Sequence, residues 1–203
     1  MFWSLRDYYY LVSDYLAGGG VVMIPLMVVS VVMWALIINR VLFFRRLYRR
    51  NMKWPTALDH VRRNRIPDRS RYRGIISVLV AEFLKRKSGE RQLDRFILDE
   101  TVVWLVSSTD RYLAVIGVLA GIAPLMGLLG TVTGMIATFD SIAIFGTGNT
   151  RAMAGGISEA LITTQTGLLV AIPGVYMKNF LVRRSEILKQ RAASLGMYLR
   201  RQL

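Results

Sequence analysis

Glu159 is the one charged residue between Ala152 and Met177, and four polar residues follow it closely: Thr163, Thr164, Gln165 and Thr166. A carboxylate can take up and release a proton or hold a cation, and hydroxyls can line its route. Thr163 and Thr166 follow Glu159 by four and seven positions, so on a helix the three share one stripe. Thr164, five away, points to a flank, and Gln165 lies off the stripe. A carboxylate inside hydrocarbon costs several kcal/mol unless it faces a bundle interior or a wet path. A lone threonine in a span needs no function, since its hydroxyl can bond the carbonyl four residues back. A carboxylate with a cluster of hydroxyls fits a narrow polar path or a seat for a partner's polar side chain.

The elements that position these groups are apolar stretches. Gly20 to Ile38 and Tyr112 to Phe139 carry no charge, and Ala152 to Met177 carries Glu159 alone. A helix rises about 1.5 Å per residue against a hydrocarbon core of roughly 30 Å, so each stretch can span. The expected fold is an all-α integral membrane protein with three transmembrane helices. The segment before the first span is aromatic and mixed in charge, unlike a cleavable leader, so the first span is expected to stay as an anchor.

Charge gives the orientation. Of 27 Lys and Arg, 18 lie between Arg40 and Arg111 and 7 follow Met177; Arg6 alone precedes the first span and Arg151 alone separates the second from the third. Basic residues gather on the cytoplasmic side. This puts the N-terminus outside, residues 40–111 and the C-terminus in the cytoplasm, and a short hairpin outside. The net charge of +14 is explained by this asymmetry, and no separate basic domain suggests nucleic acid as a partner. With no cysteine, thiolate metal sites and disulfides are excluded. No nucleotide-binding loop, metal cluster or Ser-His-Asp set points to an enzyme, and His60 among arginines is simplest as a surface residue.

The expected boundaries are an interfacial segment at 1–17, spans at 18–39, 112–139 and 152–177, a cytoplasmic helical region at 40–111, an outer turn at 140–151 and a cytoplasmic helix at 178–203. Trp3, Tyr8, Tyr9, Tyr10 and Tyr15 suit a short helix at the membrane–water boundary, ended by Gly18-Gly19-Gly20. Residues 45–73 read as a short helix and loops, and Ser88-Gly89 as a break. No turn signal divides residues 90–139, which predict one helix roughly 75 Å long. The apolar residues Leu93, Phe96, Ile97, Val103 and Val106, and Phe180, Leu181, Ile187, Leu188, Leu195 and Leu199, form stripes on the protruding helices. Such stripes suggest self-association into a cytoplasmic collar. Pro25, Pro124 and Pro173, one in each span, are shape features or hinges.

Gly146-Thr147-Gly148-Asn149 is a turn signal that makes the second and third spans an antiparallel hairpin. With Phe145 as midpoint, Thr131 and Glu159 lie at the same depth, about 12 Å below Arg151. Gly117-xxx-Gly121 and Gly130-xxx-Gly134 permit close backbone approach. Gly127, Gly130, Gly134 and Gly167 are the positions expected to pack against a partner helix.

The stretches APLMGLLGTVTGMIATF (123–139) and GGISEALITTQTGLLVAIPG (155–174) resemble the paired motifs of the MotA/TolQ/ExbB proton-channel family, closest to its ExbB and TolQ branch. The resemblance is strong over residues 95–185. It implies a periplasmic N-terminus and a ring, a pentamer in the family, around the helices of a dimeric single-span ExbD- or TolR-like partner. Ion flow would energise import through a TonB-like protein, or envelope maintenance. The threonine of the family's GxxGT stretch falls on Thr131, the glutamate of GIxEAL on Glu159 and the threonine five further on Thr164. The implied ion path is therefore Thr131, Glu159 and Thr164, with Thr163 and Thr166 added by the stripe. No cofactor is expected. The transported ion is H⁺ by default, but the oxygens of Thr163-Thr164-Gln165-Thr166, where the family is mostly apolar, open the alternative of Na⁺. The remaining rivals are a flagellar stator subunit, which typically has four spans and a larger cytoplasmic domain, and a non-conducting membrane scaffold.

Overall fold

The structure is a computed structural model describing residues 10, 13–16, 18–48, 52–68, 72 and 74–202. The described residues are helical with no strand. The helices are α1 (Met23–Tyr48), α2 (Trp54–Arg62), α3 (Ile75–Arg86), α4 (Arg91–Asp110), α5 (Leu113–Phe145) and α6 (Thr150–Gln202); residues 13–16 are also helical. Three helical stretches are long and apolar enough to cross a membrane: α1, Arg91–Phe145 and α6. Large apolar side chains stay exposed along them, including Ile24, Val28, Val31, Leu125, Leu128, Leu129, Leu161, Leu168, Leu169 and Ile172. Water would not tolerate such surfaces, and lipid or another apolar helix would. This is a multi-pass, all-α membrane protein.

The chain forms two compact units, Met1–Leu36 with Val115–Met177, and Ile37–Ala114 with Lys178–Leu203. In the first, α5 and α6 form a hairpin with a turn of four residues. Gly146 ends α5 in the left-handed region (φ +65°) and its amide donates to the Ile142 carbonyl at 2.8 Å. A side chain would strain that conformation, which is why glycine closes so many helices. Asn149 Oδ1 accepts from the Ala152 amide at 3.1 Å and caps the start of α6. Neither Pro124 nor Pro173 interrupts its helix, and Pro25 sits in the first turn of α1, where no amide donor is missed.

In the second unit the buried face of α4 consists of Asp94, Leu98, Thr101, Leu105 and Thr109. Asp94 accepts from the Ser88 and Gly89 amides at 2.8 and 3.2 Å, holding the turn where Gly89 takes φ +94°. On α6, Leu181, Leu188, Ala192, Leu195 and Leu199 are buried, at the three-and-four spacing of a coiled-coil seam. The α4 helix lies against this seam. Ser185 Oγ donates to Thr109 Oγ1 at 2.9 Å and to Asp110 at 3.0 Å, and Lys189 pairs with Asp110 at 2.7 Å. Gly196 faces Val102 so closely that a Cβ there would stand 2.6 Å from it. Hydrogen bonds to Asp110 and Glu186 hold the Lys189 ammonium above its ordinary pKa. Of the α6 part of the expected collar stripe, Leu181, Leu188, Leu195 and Leu199 are covered within the chain, whereas Phe180 and Ile187 stay exposed. Leu93, Phe96, Val103 and Trp104 are the apolar side chains that α4 leaves exposed.

The single helix expected over residues 90–139 is instead two. It breaks at Arg111–Tyr112, where Tyr112 takes φ +67°. No glycine or proline marks the break. Its cause comes from α1: the buried Arg40 guanidinium donates to the Ser108 carbonyl at 2.9 Å, to Thr109 at 3.3 Å and to Arg111. These are the terminal carbonyls of α4, which lack partners within their own helix. The forked guanidinium replaces the amides that a continuing helix would have supplied, and the rings of Phe43, Phe44 and Tyr112 flank it.

Arg40→Ala should lower stability by about 2–4 kcal/mol, because it leaves a set of buried carbonyls unpaired. Arg40→Lys should restore only part, since an ammonium cannot fork. Thermal unfolding of the purified chain in detergent measures both.

Candidate functional site

The α5–α6 hairpin is packed backbone against backbone. A Cβ on Gly167 would stand 2.7 Å from the Ala123 carbonyl oxygen and 3.1 Å from Gly127 Cα. One on Gly127 would meet Thr164 Cα at 3.1 Å and the Thr163 carbonyl at 3.2 Å. Gly130 is filled by the Thr163 side chain. A Cβ on Gly134 would stand 2.7 Å from the Gly156 carbonyl oxygen and 2.8 Å from the Ala160 amide nitrogen. Gly127, Gly130, Gly134 and Gly167 thus serve the contact between the chain's own two helices. Of the two GxxxG pairs, Gly130 and Gly134 are in close approach, whereas a Cβ on Gly121 would meet nothing within 4 Å.

These contacts set the register. On α5, Thr131 lies between Gly130 and Gly134; on α6, Glu159 lies between Gly156 and Thr163. The same pair of contacts brackets both residues, so they occupy one depth of the hairpin. Their side chains do not meet. Thr131 Oγ1 donates to the Leu128 carbonyl at 2.6 Å. Glu159 is half-buried, and among the described residues no hydrogen bond or ion pair engages its carboxylate. It lies instead against the turn before α1, where a Cβ on Gly20 would collide with Oε1.

The polar run after Glu159 diverges in direction. Thr163 is fully buried toward α5 and donates to the Glu159 carbonyl at 2.7 Å. Thr164 donates across the hairpin to the Gly127 carbonyl at 3.0 Å, and also to Ala160 at 3.1 Å. Thr166 donates to Ile162 at 2.8 Å and lies 3.0 Å from the Tyr15 hydroxyl. Gln165 is exposed. Each threonine is thus tied to a backbone carbonyl; Thr163 packs on Gly130 of the facing helix, and among the three Thr164 alone hydrogen-bonds to that helix. The groups do not converge on one point within a single chain. They are distributed over the faces of the hairpin.

Tyr15 departs from the sequence expectation. It was placed at the membrane–water boundary, but it packs with Leu16, Met126, Ile162 and Val170 on the core formed by Met23, Leu26, Ala123 and Ala171. The apolar ring gains more from that core than from an interface, and Thr166 satisfies the hydroxyl. Trp3, Tyr8 and Tyr9 lie outside the described residues. Sequence reasoning missed both Tyr15 and Gly20 as neighbours of the polar stripe, because the triple glycine was read only as a helix stop.

An apolar multi-span chain whose tightly packed hairpin carries a carboxylate with no hydrogen-bond or ion-pair partner among the described residues is of the class of multi-pass membrane proteins with an acidic group inside a span. Comparison with known proteins narrows it. Residues 65–193 match the MotA/TolQ/ExbB proton channel family. The putative biopolymer transport protein ExbB-like 1 of Synechocystis sp. is 33% identical over 178 residues, covering 83% of this chain and 70% of that protein. ExbB-like 3 of the same organism is 30% identical over 189 residues, 85% of each. Biopolymer transport protein ExbB of Salmonella typhimurium is 32% identical over 179 residues, 80% of this chain and 72% of that protein. The chain belongs to the MotA/TolQ/ExbB proton channel family, in its ExbB/TolQ branch.

Gly167→Ala should destabilise the hairpin by about 2–4 kcal/mol, because backbone atoms of α5 cannot yield to a new methyl. Gly121→Ala should cost nothing, or gain up to about 1 kcal/mol of helix propensity. Melting temperatures of the two variants check the contrast.

Proposed function

We propose that this chain is the ring-forming subunit of an ion-driven motor in a bacterial inner membrane, working with a single-span ExbD- or TolR-like partner. Copies of the chain, five by family resemblance, enclose the partner's helices. The N-terminus is periplasmic, and residues 40–111 and 178–203 are cytoplasmic. Ion flow down the electrochemical gradient is passed on as work, either to import through a TonB-like protein or to envelope maintenance.

The observation that carries this reading is Glu159: a half-buried carboxylate in an apolar span, with no hydrogen-bond or ion-pair partner among the described residues, at the depth of Thr131. One carboxylate per chain does not make a pore, but repeated around a ring it makes a path, with the lumen completed by a partner helix. As the carboxylate, Glu159 accepts a proton; as the neutral acid it holds that proton in a region where the bare ion would not go, then gives it to the next acceptor and returns to the carboxylate. Thr131 and Thr164 present hydroxyls that can relay or hydrate that proton. Thr164 also ties α6 to α5 through the Gly127 carbonyl, so it holds Glu159's helix in register. Thr163 and Thr166 bond within the chain and support the path from behind. The exposed apolar side chains of α1, α5 and α6, and Phe96, Val103 and Trp104 of α4, are surfaces suited to lipid and to neighbouring copies.

We take the ion to be H⁺. A site for a hard cation such as Na⁺ needs several converging oxygens, whereas the hydroxyls of Thr163, Thr164 and Thr166 bond to different carbonyls and Gln165 is exposed. Activity unchanged when K⁺ replaces Na⁺, at fixed pH and potential, is the expected result; loss of activity would make Na⁺ the coupling ion.

Glu159→Ala and Thr164→Ala should each abolish partner-dependent, energised uptake while the complex still runs at its native size in detergent. Loss of assembly in Glu159→Ala would make the residue a structural contact and end the ion-path reading. Normal activity in that variant would leave a non-conducting scaffold.

A further inference from the structure

The polar face of α6 is covered by the chain's own N-terminal residues, in a regular order. Gly20 meets Glu159, Gly18 and Gly19 meet Ile162, and Tyr15 meets Thr166. Along α6 these partners advance by three and then four positions, so they form one row on one face. Along the N-terminal residues the order runs backwards, from Gly20 to Tyr15. Residues 15, 16 and 18–20 therefore track down the row in the direction opposite to α1. Tyr15 and Leu16 anchor this arrangement on the Met23, Leu26, Ala123 and Ala171 core.

At the top of the row a side chain at Gly20 would fit only by displacing the Glu159 carboxylate. A Cβ on Gly20 would collide with Glu159 Oε1, and would stand 2.5 Å from Cδ and 3.1 Å from Cγ. Gly20 also takes φ +64°, which glycine adopts freely and other residues do not. At Gly19 a Cβ would lie 3.5 Å from Ile162 Cγ2, an ordinary contact, and 2.6 Å from the flexible tip of Met23. The carboxylate thus rests on bare backbone. No hydrogen bond or ion pair among the described residues fixes it elsewhere.

We propose that Tyr15 and the Gly18-Gly19-Gly20 turn form a strap along α6, and that Gly20 is a positioning residue for the Glu159 carboxylate. The inference rests on the reading of Glu159 as the ion-carrying group and adds what holds it. Any side chain at Gly20 pushes the carboxylate off its seat; shortening Glu159 by one methylene makes room again. Tyr15 sets the strap's lower end through Thr166.

The test is a double-mutant cycle on the full complex with its partner, using Gly20→Ala, Glu159→Asp and both together. Backbone strain at Gly20 is the same in either background and cancels in the cycle. Gly20→Ala should lower the melting temperature and cut ion-driven uptake about tenfold; Glu159→Asp in that background should recover most of the uptake and the part of the melting-temperature loss that backbone strain does not cause. A merely structural role for Gly20 would give no such rescue, and additive losses overturn the proposal. If Gly20→Ala does not fold, the strap is read from Gly19→Cys with Ile162→Cys. The chain holds no other cysteine, so an intramolecular disulfide in native membranes supports the contact and its absence overturns it. Coupling in melting temperature in a complex that shows no ion-driven uptake even as wild type would keep the strap and overturn the ion-path reading instead.

Discussion

Everything in the membrane part of this chain depends on how closely two backbones can approach. Gly167 lies against Ala123 and Gly127, and Gly134 lies against Gly156, at separations no side chain would allow. In a membrane, helices gain little by hiding from lipid, so packing and polar contacts must hold them. The small residues serve both needs. They let dispersion act over a long seam, and they bring Thr164 within 3.0 Å of the Gly127 carbonyl on the other helix. The same seam fixes the depth of Glu159 relative to Thr131. A site that must handle an ion needs that constancy more than it needs affinity, because a carboxylate displaced by an ångström meets a different partner.

The second unit is held by polar groups placed at helix ends. Arg40 takes the last carbonyls of α4, Asp94 takes the amides of the Ser88-Gly89 turn, and Ser185 and Lys189 gather on Thr109 and Asp110. Arg40 answers carbonyls that the end of a helix leaves unpaired, whereas Ser185 and Lys189 bond the side chains of Thr109 and Asp110. The apolar seam of α6 supplies burial between them. An apolar face remains on α4, formed by Leu93, Phe96, Val103 and Trp104, and in the proposed ring it is a surface for other copies.

Much of this was legible from residue order, for reasons that are local. Uncharged runs set three spans, and the GTGN turn closed the hairpin one residue beyond Phe145. The break after Ser88-Gly89 and the helix start at Ile75 followed from glycine and apolar spacing. What was not legible depends on contacts between distant residues. The break at Tyr112 carries no turn residue, because its cause is Arg40, 71 positions away from Arg111. The α6 stripe Leu181, Leu188, Leu195 and Leu199 read as a surface for another copy, since periodicity marks a buried face without naming what buries it. Glu159 was found at once as a lone charge in an apolar run. Its seat on Gly20 was not, because a glycine that makes room for a carboxylate and a glycine that stops a helix look the same in sequence.

The central claim is that the Glu159 hairpin works together with a partner helix. The most direct measurement is to tag the C-terminus, purify the complex from native membranes in mild detergent, and identify by mass spectrometry what accompanies it. The account predicts a single-span protein with an aspartate inside its membrane helix and a folded domain on the outer side. Recovery of this chain alone, or with proteins lacking such a helix, would contradict it and leave Glu159 as a feature of a self-contained ring.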